Sequence, residues 1–168
     1  MTEEEWKYPE MKPHFCRAGT FTAWCAGSGD REDSAAAWYV RPDDGAEEAL
    51  EDARASDGAT SSTAQRGVLA AAVGCIESLQ PNSTLLLKTN SEYVVNAINT
   101  DIARWKADGW KASGPRKNRS IIRRIDHVIS DRAITARAVH CPNGDGSSDD
   151  AILERLRLRA RQCWKRSD

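Results

Sequence analysis

The chain has 168 residues, 40% of them hydrophobic and 29% charged. That length suits one domain with a real core, and the composition reads as soluble and globular, with no apolar run near the ~18 residues of a membrane span. The formal net charge of −1 excludes an argument for polyanion binding from global charge, but Asp and Glu predominate before residue 60 and Lys and Arg after residue 100, so the argument must be local.

Residues 1–17 carry Pro9 and Pro13 and show no hydrophobic period. They are expected to form a loosely held leader, with Trp6 and Tyr8 as docking points, ahead of one domain over residues 18–168. The acidic start, Met1-Thr2-Glu3-Glu4-Glu5, lacks a signal peptide's apolar region, so an intracellular place, cytoplasmic or nuclear, is expected. Residues 19–26 alternate with β-branched and aromatic types and predict a first strand. Residues 35–41 predict a second, closed by Pro42. Residues 47–55 suit either an edge strand, by their charges, or a helix, by their Ala and Glu content. Residues 58–63 read as a polar loop.

Thr63 opens the clearest helix, with Val68, Leu69, Ala72, Val73, Ile76 and Leu79 in one apolar stripe that ends before Pro81. Gly67 inside this helix disfavours it by about 1 kcal/mol against Ala, which suggests relaxed constraint there. Leu85, Leu86 and Leu87 form a short apolar run that reads as a buried strand over 83–89. Ser91 can cap a following helix over 91–99, and Glu92 suits its dipole. Asn90 therefore falls where a strand ends and a helix begins, the place where an open α/β sheet presents chemistry. A basic, tryptophan-bearing segment covers 102–114. Ile121, Ile122, Ile125 and Val128 mark another helix, residues 133–139 a last strand, 141–148 a Gly-rich loop, and 149–164 a terminal helix. The five cysteines (Cys16, Cys25, Cys75, Cys141 and Cys163) include no Cys-x-x-Cys, so reduced, mostly buried thiols are expected. The order of elements predicts a mixed sheet with helices on its faces.

Three stretches carry a resemblance. Thr89-Asn90-Ser91 with Tyr93 is similar to a Thr-Asp-Ser followed by an aromatic. Gln65-Arg66-Gly67-Val68-Leu69 is similar to Asn-Arg-x-Glu-Leu. The segment from Trp105-Lys106 to Gly109-Trp110-Lys111 matches Trp-Lys-x-x-Gly-Trp-Lys. These are motifs of type 1 ribonucleases H, of the fungal-type pattern, and the chain resembles that family over about residues 18–165. The resemblance implies an α/β ribonuclease H-like fold, with a mixed five-stranded central sheet flanked by helices. It also implies four carboxylates around two magnesium ions, because divalent cations about 4 Å apart need hard, anionic oxygen ligands. Carried over position by position, the first carboxylate is replaced by Ala23, the second by Val68 and the third by Asn90. Only the fourth, Asp150, remains acidic. Asp150 and, weakly, Asn90 are the candidate metal ligands. Glu92, Asp145 and Asp149 lie nearby in sequence and read as a helix-dipole carboxylate and two loop solubilisers. His140 matches a loop histidine that assists product release in relatives. It also reads as a metal ligand with Cys141, or as a plain surface residue.

The binding apparatus is better kept. In relatives the tryptophan-bearing segment is a basic protrusion that grips the DNA strand of an RNA/DNA hybrid. The candidate nucleic-acid-binding residues are Thr63, Gln65, Arg66, Trp105, Lys106, Trp110, Lys111, Lys117, Asn118 and Arg124. Cations release phosphate counterions and tryptophans offer flat surfaces to bases or sugars. The plainer readings are that Trp105 and Trp110 brace a helical hairpin, that Thr63 is an N-cap, and that the arginines of the last helix are a solvated face. The expectation is a degenerate ribonuclease H-like protein that binds RNA/DNA hybrid or double-stranded RNA without cleaving it and needs no cofactor. The alternatives are an active ribonuclease H using Mg2+ or Mn2+ with altered ligands, and a protein-interaction scaffold. No membrane partner is expected.

Overall fold

The computed structural model describes residues 6, 8–29, 34–55, 64–111 and 118–165. Strands β1 (Thr20–Gly29), β2 (Ser34–Pro42) and β3 (Leu50–Ala55) form an antiparallel meander. Strands β4 (Thr84–Thr89) and β5 (Thr135–His140) add in parallel beside β1, giving a five-stranded mixed sheet of order β3-β2-β1-β4-β5. The helices are α1 (Ala64–Glu77), α2 (Glu92–Asn96), α3 (Ile102–Ala107), α4 (Arg119–Asp131) and α5 (Ser148–Lys165). This is the expected α/β fold. The ambiguous stretch 47–55 resolves in favour of the edge strand over Leu50–Ala55. There Glu51 accepts hydrogen bonds from Arg155 and Arg159 of α5 at 2.7 Å each. Those two arginines are therefore anchors between layers and not simply a solvated face.

Strand alternation divides the core in two. Phe21, Ala23 and Cys25 of β1 face the apolar stripe of α1, while Trp24 and Ala26 pack with Leu153, Leu156 and Ala160 of α5. Gly67 corrects the reading of relaxed constraint. A Cβ at Gly67 would lie 2.4 Å from the Ala35 carbonyl oxygen, and one at Gly27 would lie 2.4 Å from the Val68 nitrogen. The two glycines let α1 settle directly onto the start of the sheet's hairpin, a contact that outweighs the lost helix propensity.

The leader is not loosely held where it is described. Phe15 is 1% exposed and stacks on Phe21. The N–H groups of His14 and Phe15 both donate to the Ser78 carbonyl. Buried Arg132 donates to the carbonyls of Met11, at 2.6 Å, and Glu77, at 2.7 Å. Tyr8 donates to the Ala55 carbonyl at 2.9 Å and carries the Arg54 guanidinium over its ring. These bonds bind residues 8–15 across the end of α1.

The helix read over 91–99 is longer and broken. Ser91 caps α2 by accepting the Val94 N–H at 3.3 Å. A π-helical turn over Ala97–Asp101 then joins α2 to α3. The wide turn presents Asn99, whose amide donates to the Ala138 carbonyl at 2.9 Å and accepts its N–H at 2.8 Å. One side chain thus satisfies both backbone groups of a residue on edge strand β5.

Candidate functional site

Strands β1 and β4 lie side by side and parallel, with Ala23 beside Leu87 and Trp24 beside Lys88. Ala23 is fully buried and Val68 is 5% exposed, both in the apolar layer between sheet and α1. Neither carries a ligand atom. Asn90 follows the end of β4, and its amide donates to Asn143 Oδ1 at 2.7 Å. Asp150 stands in the first turn of α5. Its carboxylate accepts the Gly144 N–H at 2.8 Å and the Gly146 N–H at 3.3 Å, while its own N–H donates to the Ser147 hydroxyl at 3.1 Å. These bonds close the loop before α5 onto the helix's first turn. Asn90 and Asp150 are therefore linked through the 143–144 loop.

This donor set does not fit a two-metal centre. Divalent magnesium takes oxygen ligands in near-octahedral array and needs carboxylates to hold it. Of the four positions implied by the resemblance, two supply no oxygen, one supplies an amide already bonded, and one supplies a carboxylate engaged by backbone N–H groups.

A different cluster occupies the α5 side of the same strands. The Asp149 carboxylate accepts the indole N–H of Trp24 at 2.9 Å and pairs with the Lys88 ammonium at 3.2 Å. Lys88 also lies 5.6 Å from the Trp24 ring centroid. The indole bond, and then Lys88, hold the Asp149 carboxyl below the usual carboxylate range although burial opposes them. Cys141, 6% exposed, sits 3.9 Å from Asp149 through its sulfur. Burial first, and the neighbouring carboxylate next, push this thiol upward. Asp149 is thus an inward anchor and not a loop solubiliser. The signal was present: Lys88 is a cation inside a Leu-rich central strand, and such a charge needs a partner.

His140 is the last residue of β5, beside Thr89, and is exposed. It is a strand residue and not a member of the loop before α5, which corrects the expected loop histidine. Cys141 joins the core under α5. The one His/Cys/Asp/Glu cluster of ligand geometry among the described residues is exposed Glu10, His127 and Asp131, and it includes neither His140 nor Cys141.

The candidate binding residues separate into three groups. Arg66 and Asn118 are 1% and 4% exposed, and Arg66 donates to Asn118 Oδ1 at 3.0 Å. Asn118 takes a left-handed backbone, φ 60°, as the N-cap of α4. The pair locks α1 to α4 from inside, so the expectation that these two touch nucleic acid directly is corrected. Trp105, 7% exposed, is likewise a brace. The chain after α3 turns through Gly109 and Trp110, both left-handed, with the Trp110 N–H on the Trp105 carbonyl and the two rings 6.4 Å apart. This is a helix C-terminal turn closed by a hydrophobic contact, and Arg119 donates to the Trp110 carbonyl to hold it. Arg124 is half-buried and pairs at 3.2 Å with Glu77, which is 1% exposed. Burial raises the Glu77 carboxyl, and Arg124 opposes that rise. The exposed group is Gln65 at the start of α1, with Lys106 and Lys111. Lys106 reaches Asp126 at 3.3 Å but keeps half its side-chain surface in solvent. Thr63 and Lys117 lie outside the described residues.

The comparisons with known proteins agree with this architecture. The RNase H family pattern matches residues 20–152. Ribonuclease H of Xanthomonas campestris pv. campestris is 35% identical over 94 residues, covering 55% of this chain and 63% of that protein. Ribonuclease HI of Streptomyces coelicolor is 30% identical over 87 residues, covering 51% and 38%. The chain thus spans less than two thirds of the length of these curated relatives. LC9-RNase H1, a type 1 RNase H with the type 2 active-site motif, superposes with a TM-score of 0.65 at 18% identity, covering 89% of this chain and 75% of that one. LC11-RNase H1 in complex with RNA/DNA hybrid gives 0.61 at 15% identity, covering 88% and 98%. At such identities these structures speak for the fold. Among the described residues no helix is long and apolar enough to cross a membrane.

Proposed function

Because the chain belongs to the ribonuclease H family, we propose that it binds RNA/DNA hybrid or double-stranded RNA and does not hydrolyse it. The observation that carries this reading is the closed apolar packing of Ala23 and Val68 where the family's pattern calls for carboxylates. Without those oxygens, two divalent ions have no cage, and the chemistry that activates a water and steadies the leaving oxygen is lost. A single remaining acid, Asp150, is already bonded to the loop it follows. The chain needs no Mg2+ or Mn2+ in this reading.

Binding rests on other residues. Lys106 and Lys111 stand exposed around a turn that Trp105, Trp110 and Arg119 make rigid. Cations held at fixed spacing on a rigid turn suit the regular phosphates of a duplex. Gln65 adds an exposed amide at the start of α1, where helix N–H groups favour phosphate. The solved relative in complex with RNA/DNA hybrid makes that ligand the first to try.

The test is a fluorescence-anisotropy titration of labelled hybrid across salt concentrations, with a parallel cleavage assay in Mg2+ and in Mn2+. The expected result is salt-sensitive binding and intact substrate. Products that disappear in Asp150→Ala would establish an active ribonuclease H and overturn the reading. Absence of binding at low salt would favour an interaction scaffold instead.

A further inference from the structure

We infer that Cys25 and Cys75 form a redox latch, a disulfide that closes under oxidising conditions and fastens β1 to α1. The latch does not rest on the hybrid-binding reading. Cys25 stands on β1 and Cys75 on α1. Both are free thiols, fully buried, and their sulfurs lie 3.3 Å apart. One thiol therefore donates a weak hydrogen bond to the other. A disulfide bond is about 2.05 Å long, so the two sulfurs need to approach by only about 1.2 Å.

The packing builds this contact for these two of the five cysteines. Cys25 is opposite Trp38 in the β1–β2 ladder, and both side chains lie in the core layer of α1. A Cβ at Gly74 would lie 2.4 Å from the Trp38 ring. The bare Gly74 backbone thus lets α1 seat directly on the indole, and the next residue, Cys75, is held down on Cys25. Cys141 and Cys163 belong to the other core layer, under α5, and Cys16 is exposed. The sheet separates the two layers, so a cross-pairing of Cys25 or Cys75 with Cys141 or Cys163 would require the fold to open.

The oxidant is a small disulfide such as oxidised glutathione. One cysteine, as thiolate, attacks it, and a mixed disulfide forms as one glutathione thiolate leaves. The other cysteine then attacks the protein sulfur of the mixed disulfide. The Cys25–Cys75 bond forms and the second glutathione thiolate leaves. The cysteine pair gives up two electrons and two protons, and the oxidant becomes two molecules of reduced glutathione. The fold sets the pace. Burial first, and the Cys25 thiol next, push the Cys75 thiol well above its ordinary value. The thiolate is the reacting form, so the closed core exchanges slowly, and faster while α1 is lifted from β1 or still folding. The two cysteines are 50 residues apart, so their bond closes a long loop of unfolded chain and raises stability.

The test equilibrates the full chain in reduced and in oxidised glutathione buffer, in one arm as folded protein and in the other by refolding from urea. Free thiols are then blocked with N-ethylmaleimide, and the peptides are mapped by mass spectrometry. In the oxidised buffer one cross-link is expected, joining the peptides of Cys25 and Cys75 with the loss of two hydrogens, and sooner in the refolding arm. The cross-linked chain should melt about 5–15 °C above the reduced one. Dithiothreitol should reverse both changes, and Cys75→Ala should melt at the same temperature in both buffers. Absence of the Cys25–Cys75 cross-link from both arms overturns the inference. So do cross-links that favour the other cysteines, or a cross-linked chain that melts no higher than the reduced one. The map and the melt of the wild type decide the matter even if Cys75→Ala fails to fold. No nucleic acid enters the assay, so its failure is distinct from a failure of hybrid binding.

Discussion

Removing the Asp149 carboxylate should destabilise the fold by a definite amount. Trp24 is 1% exposed, and its indole N–H has Asp149 as its acceptor at 2.9 Å. Asp149→Ala leaves that donor buried and unpaired, at about 1–3 kcal/mol. It also strips Lys88 of its ion pair. The two side chains are 23% and 29% exposed, so the pair is partly screened and adds only about 1 kcal/mol. The expected total is about 2–4 kcal/mol. Asp149→Asn keeps an acceptor for Trp24 and should lose only about 1 kcal/mol, the ion-pair part. Urea unfolding followed by tryptophan fluorescence gives both values, and a cycle with Lys88→Met isolates the pair. The acid limb provides a second readout. The Asp149 carboxyl is held below its ordinary value, first by Trp24 and then by Lys88. Its contribution is therefore complete above the unfolded-state value of about 3.9 and fades as pH falls through the lower folded value. Asp149→Asn should flatten that limb. A loss below about 0.5 kcal/mol in Asp149→Ala, the range of ordinary surface changes, would refute the account of Asp149 as the anchor of α5.

Lys106→Glu combined with Lys111→Glu should fold normally, since both positions are exposed, and should weaken hybrid binding at moderate salt. Each lost phosphate contact flattens the slope of log K against log salt by roughly 0.9, so an unchanged slope would move the interface elsewhere. Phe15→Ala should destabilise by about 3–5 kcal/mol in the same urea assay, because its ring is buried against Phe21. An unchanged midpoint would mean that the leader's described residues contribute nothing to the core.

The fold was legible where hydrophobic period and turn chemistry agree, as in β1, β2, α1, β4 and α4. Residues 47–55 were ambiguous because an edge strand has one side in solvent and so carries charges that also suit a helix; its identity depends on β2 and on Arg155 and Arg159 from 104 or more residues away. Tyr8 was legible as a docking point of the leader, but its firm attachment was not, because Phe15 and the backbone carbonyls that hold the rest leave no pattern in sequence. The motif residues Arg66 and Asn118 were legible as a pair of kept positions but not as a buried lock, because both side chains look suited to phosphate until their burial is known. Asp149 and Asp150 are neighbours with opposite duties. On a helix, adjacent residues diverge by about 100°, so one reaches Trp24 and Lys88 while the other returns to the loop.

That divergence bears on why the proposed loss of cleavage is coherent chemistry and not the absence of a few acids. The Lys88 ammonium and the Asp149 carboxylate balance each other. Asp150 is balanced by loop N–H groups and by the positive end of α5. Ala23 and Val68 contribute no charge and sit in apolar packing. Both Asp149 and Asp150 are therefore engaged by groups of this chain. The cation built into β4 thus fixes α5 through Asp149 on one face of the sheet, while on the other face the apolar packing of Ala23 and Val68 underlies the proposed loss of cleavage.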